Sequence, residues 1–224
     1  MYKFSLLQTI LLALPYIAIY SIYFYKIRDV FFIREPSYRK IDLYIYFISI
    51  TIFLFLIWNS NLNDYQFLGL KISQEKIFFN DKFITFLGIT TAIVGWLYTV
   101  RTQTITNMRN HSINTIINTR LSEYYNQQIR QIDKVVKNKI SFSYDDYKKL
   151  KPEEQASIAY LLNYYEFISI GIRYNEFDEE IVKKMMCSQI LKTYITFEPL
   201  INYFKLEKNS YFENFTKLNN RWKL

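Results

Sequence analysis

An apolar segment in the middle of this chain passes into a polar, helix-patterned segment with no Pro, Gly or cluster of turn residues at the junction. Residues 83–100 carry no charge, and they nearly reach the roughly 20 residues that a helix needs to cross about 30 Å of hydrocarbon. From Arg101 onward Thr, Asn, Gln and Arg predominate, while apolar residues recur every three or four positions, which is helical spacing. The sequence therefore predicts a membrane helix that continues into water, and an unbroken helix over residues 83–138 would project roughly 80 Å.

Two further apolar runs come before this segment. Residues 4–24 contain Pro15, which a membrane helix tolerates where neighbouring groups satisfy the freed carbonyl. This run is too long for the apolar part of a signal peptide, and no small-x-small cleavage site follows it, so we expect it to be retained as a span, with a helix lying in the membrane interface as the alternative. Residues 43–58 are uncharged but slightly short, which local thinning of the bilayer would accommodate.

These runs predict an all-α protein with three parts. The first is a transmembrane region at residues 1–100, with spans at about residues 4–24, 43–58 and 83–100. The second is a long juxtamembrane helix at residues 101–138, and the third is a small helical cytoplasmic bundle at residues 139–224. The chain has four Gly and four Pro against 19% aromatic residues, a balance that favours long helices packed through large side chains.

The basic residues of the loops predict the side of the membrane on which each part lies. Loop 25–42 has Lys26, Arg28, Arg34, Arg39 and Lys40, whereas loop 59–82 has Lys71, Lys76 and Lys82. Cytoplasmic loops carry the excess of Lys and Arg, so the first loop is expected in the cytoplasm, and three spans put the C-terminal domain on the same side. Arg101, Arg109 and Arg120 add to this bias. Because heavy use of Lys, Asn, Ile and Tyr resembles AT-rich bacterial genomes, we expect the inner membrane of a bacterium.

The charge and the cysteine count exclude several classes of protein. Residues 1–100 hold nine Lys or Arg against six Asp or Glu, and residues 101–224 hold nineteen against fourteen, so the net charge of +8 divides into +3 and +5. Neither half is a polybasic nucleic-acid tail, and anionic lipid accounts for a mildly basic domain beside a membrane. Cys187 is the only cysteine, which excludes a disulfide framework and a Cys-based zinc site.

Three small residues share one face of the third predicted span. Gly88, Ala92 and Gly95 fall at positions i, i+4 and i+7, a spacing typical of contacts between membrane helices. This face predicts packing against the first two spans of the same chain, or self-association and a pore seam, with a chance arrangement as the third alternative.

No catalytic signature accompanies this architecture. His111 is the only histidine, and Arg109, Arg101 and Arg120 all lie at the wrong distance for the Arg-x4-6-His pair of certain helical ribonucleases. We therefore expect a solvated or headgroup-facing imidazole, for which pH sensing is one conceivable role. Cys187 lies in an apolar run with no His near it in sequence, and the chain has no phosphate-cradling Gly loop and no metal-ligand cluster. The sequence predicts a protein that is not an enzyme and has no cofactor or metal.

The C-terminal part reads as a helical domain. Pro152 suits the first turn of a helix that is apolar on more than one side, which is typical of the central helix of a domain. Glu166 interrupts that surface, and a buried carboxylate needs a partner, for which Arg173 and Arg221 are the candidates, with a ligand site as the alternative.

Signals for two further helices follow. Asn175 or Asp178 is expected to cap the next helix, which Pro199 should kink or end. Residues 210–213 read as a capping box that opens a last helix running through Trp222.

Several of these residues carry a resemblance. The matching stretches are LNYYEFISIGIR at 162–173, FDEE at 177–180, FEPLI at 197–201 and YFENF at 211–215, followed by Arg221 and Trp222. Together they resemble an uncharacterised bacterial domain-of-unknown-function family over about residues 100–223. The resemblance implies membrane helices joined to a helical cytoplasmic C-terminal domain, and it brings no catalytic residues. A fainter resemblance is to small membrane accessory proteins of RNA-targeting CRISPR systems, which implies a context of phage defence.

Two functions from different classes follow as expectations. The first is a non-enzymatic inner-membrane protein that self-associates and acts as an effector or accessory that perturbs or gates the membrane. The second is a membrane-tethered adaptor whose helical domain docks a protein or nucleic-acid partner. Nucleic acid is the less favoured partner, because the basic residues Lys134, Lys137, Lys139, Lys148, Lys149 and Lys151 ordinarily form a solvated face. The expected partners are therefore the lipid bilayer, further copies of the chain and a protein.

Overall fold

The structure is a computed structural model that describes residues 6–27, 29–61, 81–137 and 141–223 of the chain. Every regular element in these residues is a helix, which confirms the all-α prediction. The helices are α1 (Leu6–Ile22), the π-helix Tyr23–Ile27, α2 (Ser37–Asn61), α3 (Asp81–Leu121), α4 (Glu123–Val136), α5 (Tyr144–Lys148), α6 (Pro152–Arg173), α7 (Glu179–Glu207) and α8 (Glu213–Trp222). They divide into two compact units, Met1–Asp29 with Glu35–Ile105, and Val30–Arg34 with Thr106–Leu224.

The candidate membrane spans begin in the first unit. Among the described residues two helical stretches, Ser37–Ile57 and Ile84–Leu121, are long and apolar enough to cross a membrane. The first predicted span corresponds to a shorter apolar stretch, Leu12–Tyr25, so the described residues give two candidate spans and not three. The α-helix stops at Ile22, where the π-helix begins. The side chains of Lys26, Arg28, Lys71, Lys76 and Lys82, on which the predicted orientation partly depends, lie outside the described residues.

Helix α1 packs against α2 through polar as well as aromatic contacts. The hydroxyls of Tyr16 and Thr51 form a hydrogen bond of 2.7 Å, and the ring of Tyr16 lies 5.8 Å from that of Phe47. Thr51 also donates to the carbonyl of Phe47, one helical turn before it. These side chains satisfy one another, which is how polar groups are tolerated between helices in an apolar environment.

The predicted continuation of the apolar helix into a polar one is confirmed as far as Leu121. Helix α3 has 41 residues and shows no interruption at Arg101. It ends before Ser122, whose side chain accepts a hydrogen bond of 3.2 Å from the backbone N–H of Tyr125 and so caps α4. The juxtamembrane helix predicted for residues 101–138 is therefore two helices. An unbroken helix over residues 83–138 does not form. An N-cap serine was the sequence signal for this break.

The second unit is a helical domain built around α6. Helix α6 begins at Pro152 as predicted, and it packs against both α4 and α8. Leu162, Ile168 and Ile172 of α6 are fully buried, together with Phe142, which lies before α5. Burial on more than one side of α6 confirms it as the central helix of the domain.

The ends of the later helices follow the sequence only in part. Asp178 caps α7 by accepting from the N–H of Ile181 at 3.0 Å, as predicted. Pro199 was expected to kink or end this helix, yet α7 runs on to Glu207. Leu200 and Ile201 are fully buried, and burying two such side chains gains about 3–6 kcal/mol, which offsets the roughly 3 kcal/mol that an interior proline costs.

Helix α8 ends at Trp222 as predicted, but it begins at Glu213, later than a cap at Ser210 implies, and its cap is different. The residue before it is Phe212, which has a φ of 53° and a ψ of 29°, and no side chain of residues 210–213 caps the helix. The capping box predicted at Ser210 is therefore wrong. The first-turn N–H groups of α8 bond instead to a carboxylate of α6, described below.

Candidate functional site

The polar half of α3 belongs to the helical domain. The sequence predicts that the helix continues into water after Arg101. Ser112 is instead fully buried, and its hydroxyl oxygen accepts a hydrogen bond of 2.8 Å from the backbone N–H of Asp178. Ile116, one turn further on, is also buried in the core. The last part of α3 is thus a component of the domain and not a free extension.

The predicted juxtamembrane arginines each hold α3 to another helix. Within the first unit, Arg101 donates to the carboxylate of Asp42 on α2. Within the second unit, the Nε of Arg109 lies 3.1 Å from a carboxylate oxygen of Asp178, at the start of α7. Arg120 donates from Nη2 to the backbone oxygen of Met185 at 3.1 Å and to the side-chain oxygen of Gln189 at 2.6 Å. These residues join helices, where the sequence had suggested lipid or water.

His111 is exposed, as expected, but it is also in contact with the domain. Its ring stacks on the ring of Phe177, with centroids 5.4 Å apart and planes 25° from parallel. Phe177 is 3% exposed and contacts Phe167 edge to face. This geometry describes a packing contact at the edge of the core.

Glu166 finds its partners on α8 and not on an arginine. Its Oε2 accepts from the backbone N–H of Phe215 at 2.7 Å, and its Oε1 accepts from the backbone and side-chain nitrogens of Asn214 at 3.2 and 2.6 Å. Arg173 donates to the side-chain oxygen of the same Asn214. Glu166 and Arg173 are therefore linked through the side-chain amide of Asn214. The direct pairing of Glu166 with Arg173 or Arg221 is therefore wrong. The carboxylate caps the positive end of α8 in place of Ser210.

The other candidate, Arg221, pairs with the first turn of α7. Its Nε and Nη2 lie 2.7 and 3.1 Å from the two carboxylate oxygens of Glu179, in a bidentate arrangement. The indole nitrogen of Trp222 donates to the same carboxylate at 3.0 Å. Bidentate arginine–carboxylate pairs are among the stronger polar contacts in proteins, and this one fastens the end of α8 to α7.

Sequence reasoning missed a segment that completes the helical domain. Residues 30–34, which lie between α1 and α2, belong to the second unit and are called here the inserted segment. The N–H of Ile33 donates to the carbonyl of Arg173 at 2.7 Å, and the Nε of Arg173 donates to the carbonyl of Phe31 at 3.1 Å. Arg34 adds an exposed ion pair with Glu176 at 3.3 Å.

The aromatic rings of the inserted segment cover two arginines. The guanidinium carbon of Arg221 lies 4.5 Å from the ring centroid of Phe31 and 5.4 Å from that of Phe32, and that of Arg173 lies 5.9 Å from Phe31. Cations at this range are attracted to the ring faces. The sequence signal that could have found this contact is a pair of adjacent phenylalanines in a loop that is otherwise rich in basic residues.

The small-residue face of α3, defined by Gly88, Ala92 and Gly95, is open in the first unit. All three residues are exposed, and a Cβ atom built at Gly88 or Gly95 meets nothing within 4 Å. Helix α2 contacts the other side of α3, where the rings of Phe55 and Phe86 are 5.6 Å apart. In the described residues, the predicted packing of this face against the chain's own spans is therefore not observed.

The threonines along the exposed middle of α3 use their hydroxyls internally. Thr99, Thr102 and Thr104 donate to the carbonyls four residues before them at 2.9, 3.0 and 2.8 Å. A hydroxyl bonded in this way no longer requires a partner in solvent. The hydroxyls of this stretch therefore need fewer hydrogen bonds to water than its composition suggests.

A cluster of buried tyrosines lies where α4 meets α6. The rings of Tyr125 and Tyr164 are 5.6 Å apart, and those of Tyr164 and Tyr165 are also 5.6 Å apart. Burial raises the pKa of Tyr125 and of Tyr165, and it raises the pKa of Tyr164 to about 12. At neutral pH these groups are uncharged hydroxyls.

This cluster predicts alkaline unfolding of the helical domain. The unfolded chain ionises its tyrosines near pH 10, whereas the folded pKa of Tyr164 is about 12. Because the folded pKa is raised, the stability contribution is fully present below about pH 10 and is lost as the pH rises towards 12. We expect the urea midpoint of the protein, followed by circular dichroism, to fall over this range. Tyr164→Phe should reduce that slope while Tyr211→Phe, at an exposed position, should not; equal slopes in both variants would contradict the assignment.

Comparison with known proteins identifies the domain that these contacts build. Residues 84–222 match a domain family of unknown function, DUF4760. The match ends with α8, close to the end of the resemblance, but it begins at residue 84 and so also includes the apolar half of α3, which the resemblance did not. Neither the curated proteins nor the solved structures contain a match to the chain. Because the matched residues are more than half of the sequence, the chain belongs to the DUF4760 family.

Proposed function

We propose that this chain is a non-enzymatic bacterial inner-membrane protein that self-associates through the small-residue face of α3 and acts as an effector or accessory that perturbs or gates the bilayer. The observation that carries the proposal is the open space over Gly88 and Gly95. A second helix can approach the backbone closely at such positions.

The cost of glycine in a helix supports this reading. An interior glycine destabilises a helix by about 1 kcal/mol relative to alanine, and no packing within the described first unit makes use of Gly88 or Gly95. In lipid there is little hydrophobic drive between helices, so close backbone packing is what associates them. A glycine face turned away from α2 fits association with another copy of α3.

The three-span arrangement and its orientation form part of the proposal. Helix α1 and the π-helix that follows it cover Leu6–Ile22 and Tyr23–Ile27, which together have about the length that a bilayer requires. The inserted segment comes from the loop predicted to be cytoplasmic and packs within the helical domain. This contact supports a cytoplasmic location for both.

The attachment of α3 to α7 suggests how assembly and the domain are coupled. The same helix carries the glycine face and the buried Ser112, and both Ser112 and Arg109 bond to Asp178 at the start of α7. These two bonds hold the last part of α3 to α7 within the helical domain. The domain acts in this proposal as the part that senses or imposes the state of the membrane helices.

The test is the mass of the protein in a membrane mimic. We expect wild type in nanodiscs or mild detergent to be an oligomer by native mass spectrometry, and Gly88→Leu with Gly95→Leu to be a monomer. Ile89→Phe adds bulk at another exposed position of α3 and should leave the oligomer intact. Expression of wild type, but not of the glycine variant, should make cells leak a small dye.

A strictly monomeric wild type would refute self-association. An oligomer that resists both leucine substitutions would show that another surface holds it together. If the oligomer forms and cells stay tight to the dye, the membrane-perturbing part of the proposal fails and a tethered adaptor becomes the better description.

A further inference from the structure

A polar groove of about 730 Å³ lies between α4 and α7 in the helical domain. Its lining comes from α4 and α7, from Arg120 at the end of α3, and from Leu161 and Tyr165 of α6. Leu161 and Tyr165 are buried, so they form the floor. The volume is within the range of about 300–1,000 Å³ that is usual for small-molecule sites, and it is much larger than an inorganic ion requires.

The charges that line the groove are unbalanced. Arg120, Lys137 and Lys192 contribute three positive charges, and Asp133 is the one carboxylate among the lining residues. Neither lysine has a carboxylate partner among the described residues. Concave surfaces with charge of one sign focus the electrostatic field and concentrate counter-ions. The groove therefore favours an anion.

Arg120, like Arg173, is held by neutral groups and not by a carboxylate. Arg109 and Arg221 bond to carboxylates, which offset their charge. Arg120 is held by the carbonyl of Met185 and the amide oxygen of Gln189, both of which are neutral. Its orientation is fixed while its charge is uncompensated among the described residues. A guanidinium has five N–H donors, so Arg120 retains donors for an incoming group.

The rest of the lining suits the organic part of a ligand. Neutral hydrogen-bonding groups are supplied by Asn126, Gln189, Thr193 and Thr196. Ile129, Ile132 and Phe197 add apolar and aromatic surface beside them. A site with fixed positive charge, neutral donors and an apolar floor is complementary to a molecule that has an anionic end and a flat or apolar body.

We propose that this groove binds a phosphate ester of about nucleotide size, whose phosphate contacts Arg120 and the two lysines and whose organic part lies on the apolar floor. Phosphate suits a site of this kind because Nε and Nη1 of Arg120, which are not used by Met185 or Gln189, can donate charge-assisted hydrogen bonds to its oxygens. A soluble phosphorylated metabolite and a lipid headgroup share this chemistry. The inference does not depend on self-association through α3.

The test uses full-length protein in nanodiscs of neutral phosphatidylcholine, with ATP as the probe and adenosine as its uncharged counterpart. We expect calorimetry to give ATP an affinity at least about tenfold higher than that of adenosine, as one charged hydrogen-bonded contact provides. Lys192→Gln should lower the affinity for ATP by roughly fivefold, the upper range for the loss of one exposed charge pair. Lys183→Gln removes an exposed lysine of α7 that does not line the groove, and it should leave the affinity unchanged.

Arg120→Gln is expected to lower the affinity for ATP further, and circular dichroism would establish that this variant is folded. If Arg120→Gln does not fold, Lys192→Gln still tests the proposal. Repeating the titration with anionic phosphatidylglycerol distinguishes the two sources of phosphate. If that lipid weakens ATP binding to wild type, the headgroup competes for the groove; if the affinity is unchanged, the ligand is soluble. Equal binding of ATP and adenosine, or an equal loss in Lys183→Gln and Lys192→Gln, would overturn the proposal.

Discussion

Replacing Gly171 with leucine is expected to lower the free energy of unfolding of the helical domain by about 3 kcal/mol, the upper range for overpacking a core. A Cβ atom at Gly171 would overlap Cδ2 and Cε2 of Phe177 and come within 3.1 Å of its Cγ. Phe177 is 3% exposed and lies between His111 and Phe167. The ring must therefore move from its place between these neighbours, or the backbone of α6 must shift. Hydrogen exchange of α6 and α7 in the full-length protein under increasing urea measures the loss.

The matched control for this substitution is Ala156→Leu, at an exposed position of the same helix. It adds a comparable side chain where no packing opposes it, so exchange should change little. Phe177→Leu combined with Gly171→Ala should recover part of the stability that Gly171→Ala alone loses, because a smaller side chain relieves the overlap. An unchanged exchange rate in Gly171→Leu would contradict the packing described for this position.

Glu166→Ala is expected to destabilise the domain by about 2–3 kcal/mol, because hydrogen-bond donors that faced a charge lose their acceptor. The donors are the N–H groups of Asn214 and Phe215 in the first turn of α8 and the side chain of Asn214. The side-chain oxygen of Asn214 also accepts a hydrogen bond from Arg173 of α6. Without Glu166, Asn214 is held less firmly, and this second contact between α6 and α8 is weakened as well. The loss should appear first as faster hydrogen exchange in α8.

Two further substitutions serve as controls for Glu166→Ala. Glu166→Gln keeps one side-chain acceptor and should cost less than alanine. Glu176→Ala removes a carboxylate from an ion pair in which both side chains are more than half exposed, and pairs of that kind contribute about 0–1 kcal/mol. Equal exchange of α8 in Glu166→Ala and Glu176→Ala would show that the cap does not hold the helix.

Local signals in the sequence predicted the parts of the fold that depend on neighbouring residues. Pro152 and Asp178 act within one turn of their own helices, and both helices begin where these residues predict. The helical spacing after Arg101 likewise depends on residues three and four apart, and α3 is continuous there. Such features can be read from the chain because the contacts that cause them are short in sequence.

Features set by distant contacts were missed. The cap of α8 comes from Glu166, 48 residues before Asn214, and no local pattern near Ser210 carries that information. Pro199 remains inside α7 because the residues after it are buried. The open face at Gly88 depends on the side of α3 that α2 occupies, which the spacing of small residues does not specify.

The inserted segment has a consequence for the order in which the chain can fold. Arg173 follows Phe31 by 142 residues, and the family match at residues 84–222 does not include the segment. At about 5–20 residues per second, roughly 7–30 s of synthesis separate the two partners. Phe31 and Phe32 must therefore wait while the later helices emerge, and the helical domain can close only after Arg221 has left the ribosome. The last step in folding of this domain therefore depends on its last helix, which is made well after the inserted segment.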